Sequence, residues 1–158
     1  MDVHLMVTEP VRYVEEFAKC GADIITVHLE ACEDLKGTLD AIHRAGVKAG
    51  VTIRPGTPVS TLEPYLDQAE MFLIMSVEPG FGGQAFIPES LDRIRKLRAM
   101  LDAKGLDADI EVDGGIYHSN VGEVLEAGAN VIVSGSGVYK GNIAENTERF
   151  MEILKSYE

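Results

Sequence analysis

The arrangement most suited to chemistry in this chain is one carboxylate with two glycines directly behind it, in Ile110-Glu111-Val112-Asp113-Gly114-Gly115-Ile116. A short apolar run carries Asp113 to its last position. Gly114 and Gly115 can take backbone angles closed to other residues and let a ligand approach the main chain. In a barrel of parallel strands, an acid at the C-terminal end of a strand lies on the catalytic face, where it can carry a proton. Further on, Val131-Ile132-Val133-Ser134-Gly135-Ser136-Gly137 repeats the design. Successive strand-end glycine turns can hold a phosphate through backbone N–H groups. Ordinary βα turns use the same residues, but two in succession, with an acid between them, favour function. A third glycine-rich stretch, Glu78-Pro79-Gly80-Phe81-Gly82-Gly83-Gln84, follows an apolar run and reads either as a hinged, amide-rich cover or as a plain connector.

Composition narrows the ligand. The chain has 158 residues, enough for one domain with a real core, and a formal net charge of −12. That charge argues against nucleic acid or an anionic membrane surface as partner. An anionic substrate would have to be held by backbone amides and helix N-termini rather than by a basic field. No apolar run reaches membrane-spanning length, and the first residues lack a signal peptide's basic start and apolar core. Cys20 and Cys32 have no CxxC spacing and read as buried or half-buried free thiols in a reducing cytoplasm.

The elements that would position these residues alternate strictly. Strands are expected at Val3–Val7, Asp23–His28, Val47–Ile53, Met71–Val77, before Asp113 and at Val131. Helices are expected over Val11–Cys20, Asp34–Ala45, Ser60–Leu66, Pro88–Lys104, Ser119–Ala127 and Ala144–Ser156. Thr8-Glu9-Pro10 reads as a cap and first turn, with Val11, Val14, Phe17 and Ala18 on the buried face behind it. The Arg93, Arg95, Lys96 and Arg98 cluster reads as a solvated helix face, and His43 and His118 as surface residues.

Six βα units in alternation mean a parallel sheet with helical crossovers, either a closed barrel or an open doubly wound sheet. A dinucleotide-binding sheet would place its glycine fingerprint after the first strand, and none stands there. Glycine turns at the late strands favour a TIM (β/α)8 barrel, with residues 1–158 as a single domain two strands short of closure.

Asp2-Val3-His4-Leu5-Met6, Ala22-Asp23-Ile24-Ile25-Thr26-Val27-His28, the Val77–Gln84 segment, Glu111–Ile116, Ala127-Gly128-Ala129-Asn130 and Ser134-Gly135-Ser136 occur here in that order. Together they closely resemble the ribulose-phosphate 3-epimerase family, as far as about Lys140. Members of that family begin with two further βα units, so this chain opens at their third strand.

The resemblance implies epimerisation of ribulose 5-phosphate and xylulose 5-phosphate at C3 through an enediolate. It implies a divalent metal, zinc or iron first, manganese or cobalt next. By resemblance His4 and Asp113 are metal ligands, and Asp113 is also one of two acids working on opposite faces of C3. The other acid and another histidine ligand belong to a strand outside this sequence. His28 is implied to be structural or supporting rather than a ligand. Met6 and Met75 resemble methionines that lie against the substrate, although a core-filling role suits them almost equally. Gly80, Phe81, Gly82 and Gly83 would cover the substrate. Gly114, Gly115, Gly135 and Ser136 would hold its phosphate, aided by the short helix after Gly137. The expected partner is a pentulose 5-phosphate; a homo-oligomer is also expected. A six-carbon ketose phosphate such as allulose 6-phosphate, a non-catalytic sugar-phosphate-binding fragment, and a structural half completed by another chain remain open at this point.

Overall fold

Six short strands, all parallel and paired in chain order, make the single sheet of the computed structural model, which describes residues 1–157. They are β1 (Asp2–Leu5), β2 (Ile24–His28), β3 (Lys48–Ile53), β4 (Met71–Met75), β5 (Asp109–Asp113) and β6 (Val131–Val133). The helices are α1 (Val14–Lys19), α2 (Leu35–Arg44), α3 (Ser90–Lys104), α4 (Val121–Glu126), α5 (Ser136–Tyr139) and α6 (Ile143–Lys155). The chain forms a curled half-barrel. Among the described residues β1 pairs only with β2 and β6 only with β5.

Strand register sorts the side chains into two faces. On the outer face Ile25, Val27, Val51, Phe72, Ile74, Ile110 and Val112 are buried against Leu39, Ile42, Leu62, Ile94, Leu97 and Val124. This is the main core, and removing such side chains from water supplies about 1.5–3 kcal/mol each. On the inner face His28, Thr52, Leu73, Glu111 and Val131 stand side by side in one row. Met75, Asp113 and Val133 form the next row up. Leu73, Met75 and Val77 make a small apolar cluster of their own there. The inner face also holds the buried polar side chains Thr26, Thr52, His28 and Glu111. Curvature brings Glu111 on β5 into hydrogen-bonding reach of Asp2 on β1.

Several local expectations are corrected. Thr8-Glu9-Pro10 makes no side-chain cap; Glu9 sits at φ 51 and a 3-10 turn, Pro10–Tyr13, leads into α1. A 3-10 start rotates the face, so Val14 is buried while Val11 (45% exposed) and Phe17 (38%) face outward. Ser60–Leu66 is likewise a 3-10 segment, Val59–Tyr65, because Pro64 inside it removes an α-type N–H. The basic face of α3 is not uniformly solvated. Arg93 donates to the carbonyls of Met75 (3.1 Å) and Arg54 (2.8 Å), and Arg98 to that of Gly128 (3.1 Å). Cys20 is exposed and Cys32 half-buried, both free. His118 is half-buried, its ring 4.2 Å from that of Phe150.

Candidate active site

β4 and β5 end side by side, with Met75 opposite Asp113, and the chain turns at once on both. Ser76 fixes these two turns to each other. Its hydroxyl donates to the carbonyls of Asp113 (3.0 Å) and Gly114 (2.7 Å), and its N–H to Asp113 (3.0 Å). Behind Asp113, Gly114 takes φ 124 and Gly115 φ 66. A side chain at Gly114 would collide with Val77, and one at Gly115 with the backbone of Phe86. Both glycines are therefore demanded by the protein's own packing, not only by close approach of a ligand. Gly135 differs: its φ is −81 and an added methyl would meet nothing within 4 Å.

These turns enclose a cavity of about 270 Å³. Asp113, Gly114 and Gly115 line one wall, with Gly135 and Ser136 beside them. Gly80, Phe81, Gly82 and Gly83 form the cover, and Met6 and Met75 also line the space. Every proposed substrate-contacting residue except His4 thus borders one cavity. Met75 is buried beneath it, whereas Met6 is exposed at its rim. Phe81 stands at the tip of the cover, 82% exposed. The cover is tied across its base by Gln84, whose amide donates to the carbonyls of Glu78 and Phe81, each at 2.7 Å. The short helix expected to add its positive end is a single turn, Ser136–Tyr139, so amides rather than a helix dipole are what this corner offers.

The electrostatics suit a proton carrier. Burial raises the Asp113 carboxyl above the usual carboxylate range. Two residues earlier, Glu111 is pushed up to about 8 by burial and by the charges of Asp2 and Asp113. It holds a proton on the inner face, with Oε2 left without a protein partner. His4 lies in the half-barrel interior and is held down to about 4 by burial and by His28. Its Nε2 is 2.9 Å from Nε2 of His28, so His28 is the partner that orients the His4 ring. His28, also lowered by burial, has Glu30 Oε2 3.6 Å from its Nδ1.

His4 and Asp113 are not enough for a divalent cation. Among the described residues no group of three or more His, Cys, Asp or Glu is close enough to hold one, and one His4 nitrogen is engaged by His28. Four ligands or three plus water are what such ions ordinarily require.

Sequence reasoning missed Ser76, Glu111 and Glu30. Ser76 acts through a hydroxyl with no motif around it. Glu111 was visible as an acid two positions before Asp113, and the inner-face alternation of β5 is the signal that could have found it.

The model of the ribulose-phosphate 3 epimerase family matches residues 1–139. A ribulose-phosphate 3-epimerase of Synechocystis sp. is 56% identical over 148 residues, 92% of this chain and 64% of its own length. Those of Bacillus subtilis and Escherichia coli strain K12 are 51% and 48% identical, each over 88% of this chain. The chain thus spans 62–64% of the length of these relatives. In structure it is similar to 3-keto-L-gulonate-6-phosphate decarboxylase from Vibrio cholerae, with a TM-score of 0.74 at 14% identity, covering 99% of this chain and 72% of that one. It is also similar to 3-hexulose-6-phosphate synthase from Salmonella typhimurium, with a TM-score of 0.70 at 20% identity, over 95% and 70% of the two chains. At those identities the likeness shows the barrel fold alone, whereas the sequence matches show descent: this chain belongs to the ribulose-phosphate 3-epimerase family.

Proposed function

We propose that this chain is the substrate-seating part of an enzyme that interconverts D-ribulose 5-phosphate and D-xylulose 5-phosphate at C3. The observation that carries the reading is that Asp113 and the Gly114, Gly115, Gly135 and Ser136 turns face one cavity, so a phosphate held by the turns leaves the sugar carbons beside the acid. Asp113 takes the C3 proton on one face, from the end of β5 at the cavity wall. Inversion requires a second acid on the opposite face, because one group alone returns the proton to the face it left. His4 and Asp113 are the donors this chain offers to a zinc, iron, manganese or cobalt ion, which needs further donors besides them.

From its own residues the chain therefore binds sugar phosphate and does not epimerise it. The test is ribulose 5-phosphate in deuterated water with added divalent metal, followed by NMR. Binding without xylulose 5-phosphate is expected, with deuterium entering C3, if at all, without inversion. Full epimerisation by the purified chain would overturn the need for a second acid from elsewhere.

We further read the protein as cytoplasmic and homo-oligomeric, without nucleic-acid or membrane partners. Its net charge of −12 and the exposed Val11, Phe17, Ile143 and Met151 on the outer helices support that reading. No helix among the described residues is long and apolar enough to cross a membrane.

A further inference from the structure

We propose that Tyr117 is a positioning residue for the phosphate, acting through Ser136; the inference rests on the phosphate seat described above. Tyr117 Oη lies 2.7 Å from Ser136 Oγ, joining the turn after β5 to the turn after β6. Tyr117 is set rigidly for this. Its N–H donates to Asn120 Oδ1 (2.8 Å), and the Asn120 amide donates in turn to the Gly115 carbonyl (3.0 Å). One asparagine thus ties Tyr117 to the glycine at the cavity wall.

A proton count shows what the pair can do. Two hydroxyls carry two protons, and their mutual hydrogen bond uses one. Among the described residues neither has another side-chain or backbone partner, so one proton stays free. The neighbouring Ser134 is different: its hydroxyl is spent on the Ile116 carbonyl at 2.7 Å. Ser136 lines the cavity and Tyr117 does not, so the free proton is presented to a ligand when Tyr117 donates to Ser136 and Ser136 donates inward. That order polarises the Ser136 hydroxyl and holds its rotamer, giving a phosphate dianion one side-chain donor beside the amides. The ligand class is a phosphate monoester, and the tyrosine's contribution is to phosphate affinity rather than to proton transfer at carbon.

The experiment is calorimetric titration of the whole chain with inorganic phosphate, for wild type, Tyr117→Phe, Ser136→Ala and the double variant. Tyr117→Phe should weaken binding about three- to tenfold, the span of one net hydrogen bond. Its melting midpoint without phosphate should match wild type, since the lost hydroxyl is on an exposed ring. The double variant should be no weaker than Ser136→Ala alone, because the tyrosine works only through the serine. Unchanged phosphate affinity in Tyr117→Phe overturns the proposal, and so does full additivity in the double variant. A wild-type chain that binds no phosphate overturns the phosphate seat itself, and this proposal with it.

Discussion

Ser76 holds Asp113 in place through the backbone rather than through the carboxyl. Its N–H and its hydroxyl both reach the Asp113 carbonyl at 3.0 Å, and the hydroxyl is shared with Gly114 at 2.7 Å. Ser76 is fully buried, so water cannot take over these bonds. The strand end that carries the acid is thereby fixed to the strand end that starts the cover. Ser76→Ala leaves the Gly114 carbonyl short of a donor, and we expect a loss of about 1–3 kcal/mol in urea unfolding. Phosphate affinity should fall with it, since Gly114 and Gly115 are set by the same contact. A variant as stable as wild type would show that the hydroxyl is dispensable.

The glycines of the seat should separate into two kinds on mutation. Gly115→Val meets the Phe86 backbone and a left-handed φ of 66, so it should unfold or misfold the chain. Gly135→Val has room and an ordinary φ, so it should fold with a melting midpoint near wild type yet bind phosphate at least about tenfold more weakly, through a blocked wall. Circular dichroism with phosphate titration reads both. A well-folded Gly135→Val with full affinity would remove that turn from the seat.

Glu111 gives the fold a pH dependence of definite sign. In the unfolded chain it titrates near the ordinary glutamate value of 4.5, and in the fold it is pushed up to about 8. Between those values the folded state binds the extra proton, so stability is fully present below the lower value and is lost as pH rises through the higher one. Glu111→Gln, neutral at every pH, removes this component. Urea midpoints between about pH 5 and 8.5, with a chelator present, should fall less steeply for the variant than for wild type. Parallel slopes would contradict the buried, protonated state of Glu111.

Much of this architecture was legible in the chain because parallel strands buried on their outer face spell themselves as apolar runs. Ile24–His28 and Met71–Met75 lie inside the ranges expected, and Gly46 and Gly105 stop their helices as glycines do. The glycine turns and Asp113 were legible for the same reason, since strand ends and positive-φ positions constrain residue type. What escaped was set by tertiary geometry. The rotation of α1 depends on a 3-10 turn that periodicity does not announce, and the half-burial of Arg93 depends on carbonyls of two other strand ends. The Asp2–Glu111 encounter arises only when the sheet curls, and the His4–His28 contact only from the β1–β2 register that sets His4 opposite Thr26, so no spacing along the chain could show them.

Sugar phosphate is expected to sit in the cavity between Asp113 and the Gly115, Gly135 and Ser136 turns. The most direct measurement is an amide NMR titration of the chain with ribulose 5-phosphate. Saturable shifts centred on Gly83, Gly115, Gly135 and Ser136 are expected, reproduced in part by inorganic phosphate, with no xylulose 5-phosphate formed. Shifts confined to the arginines of α3, or none at all up to millimolar ligand, would contradict it.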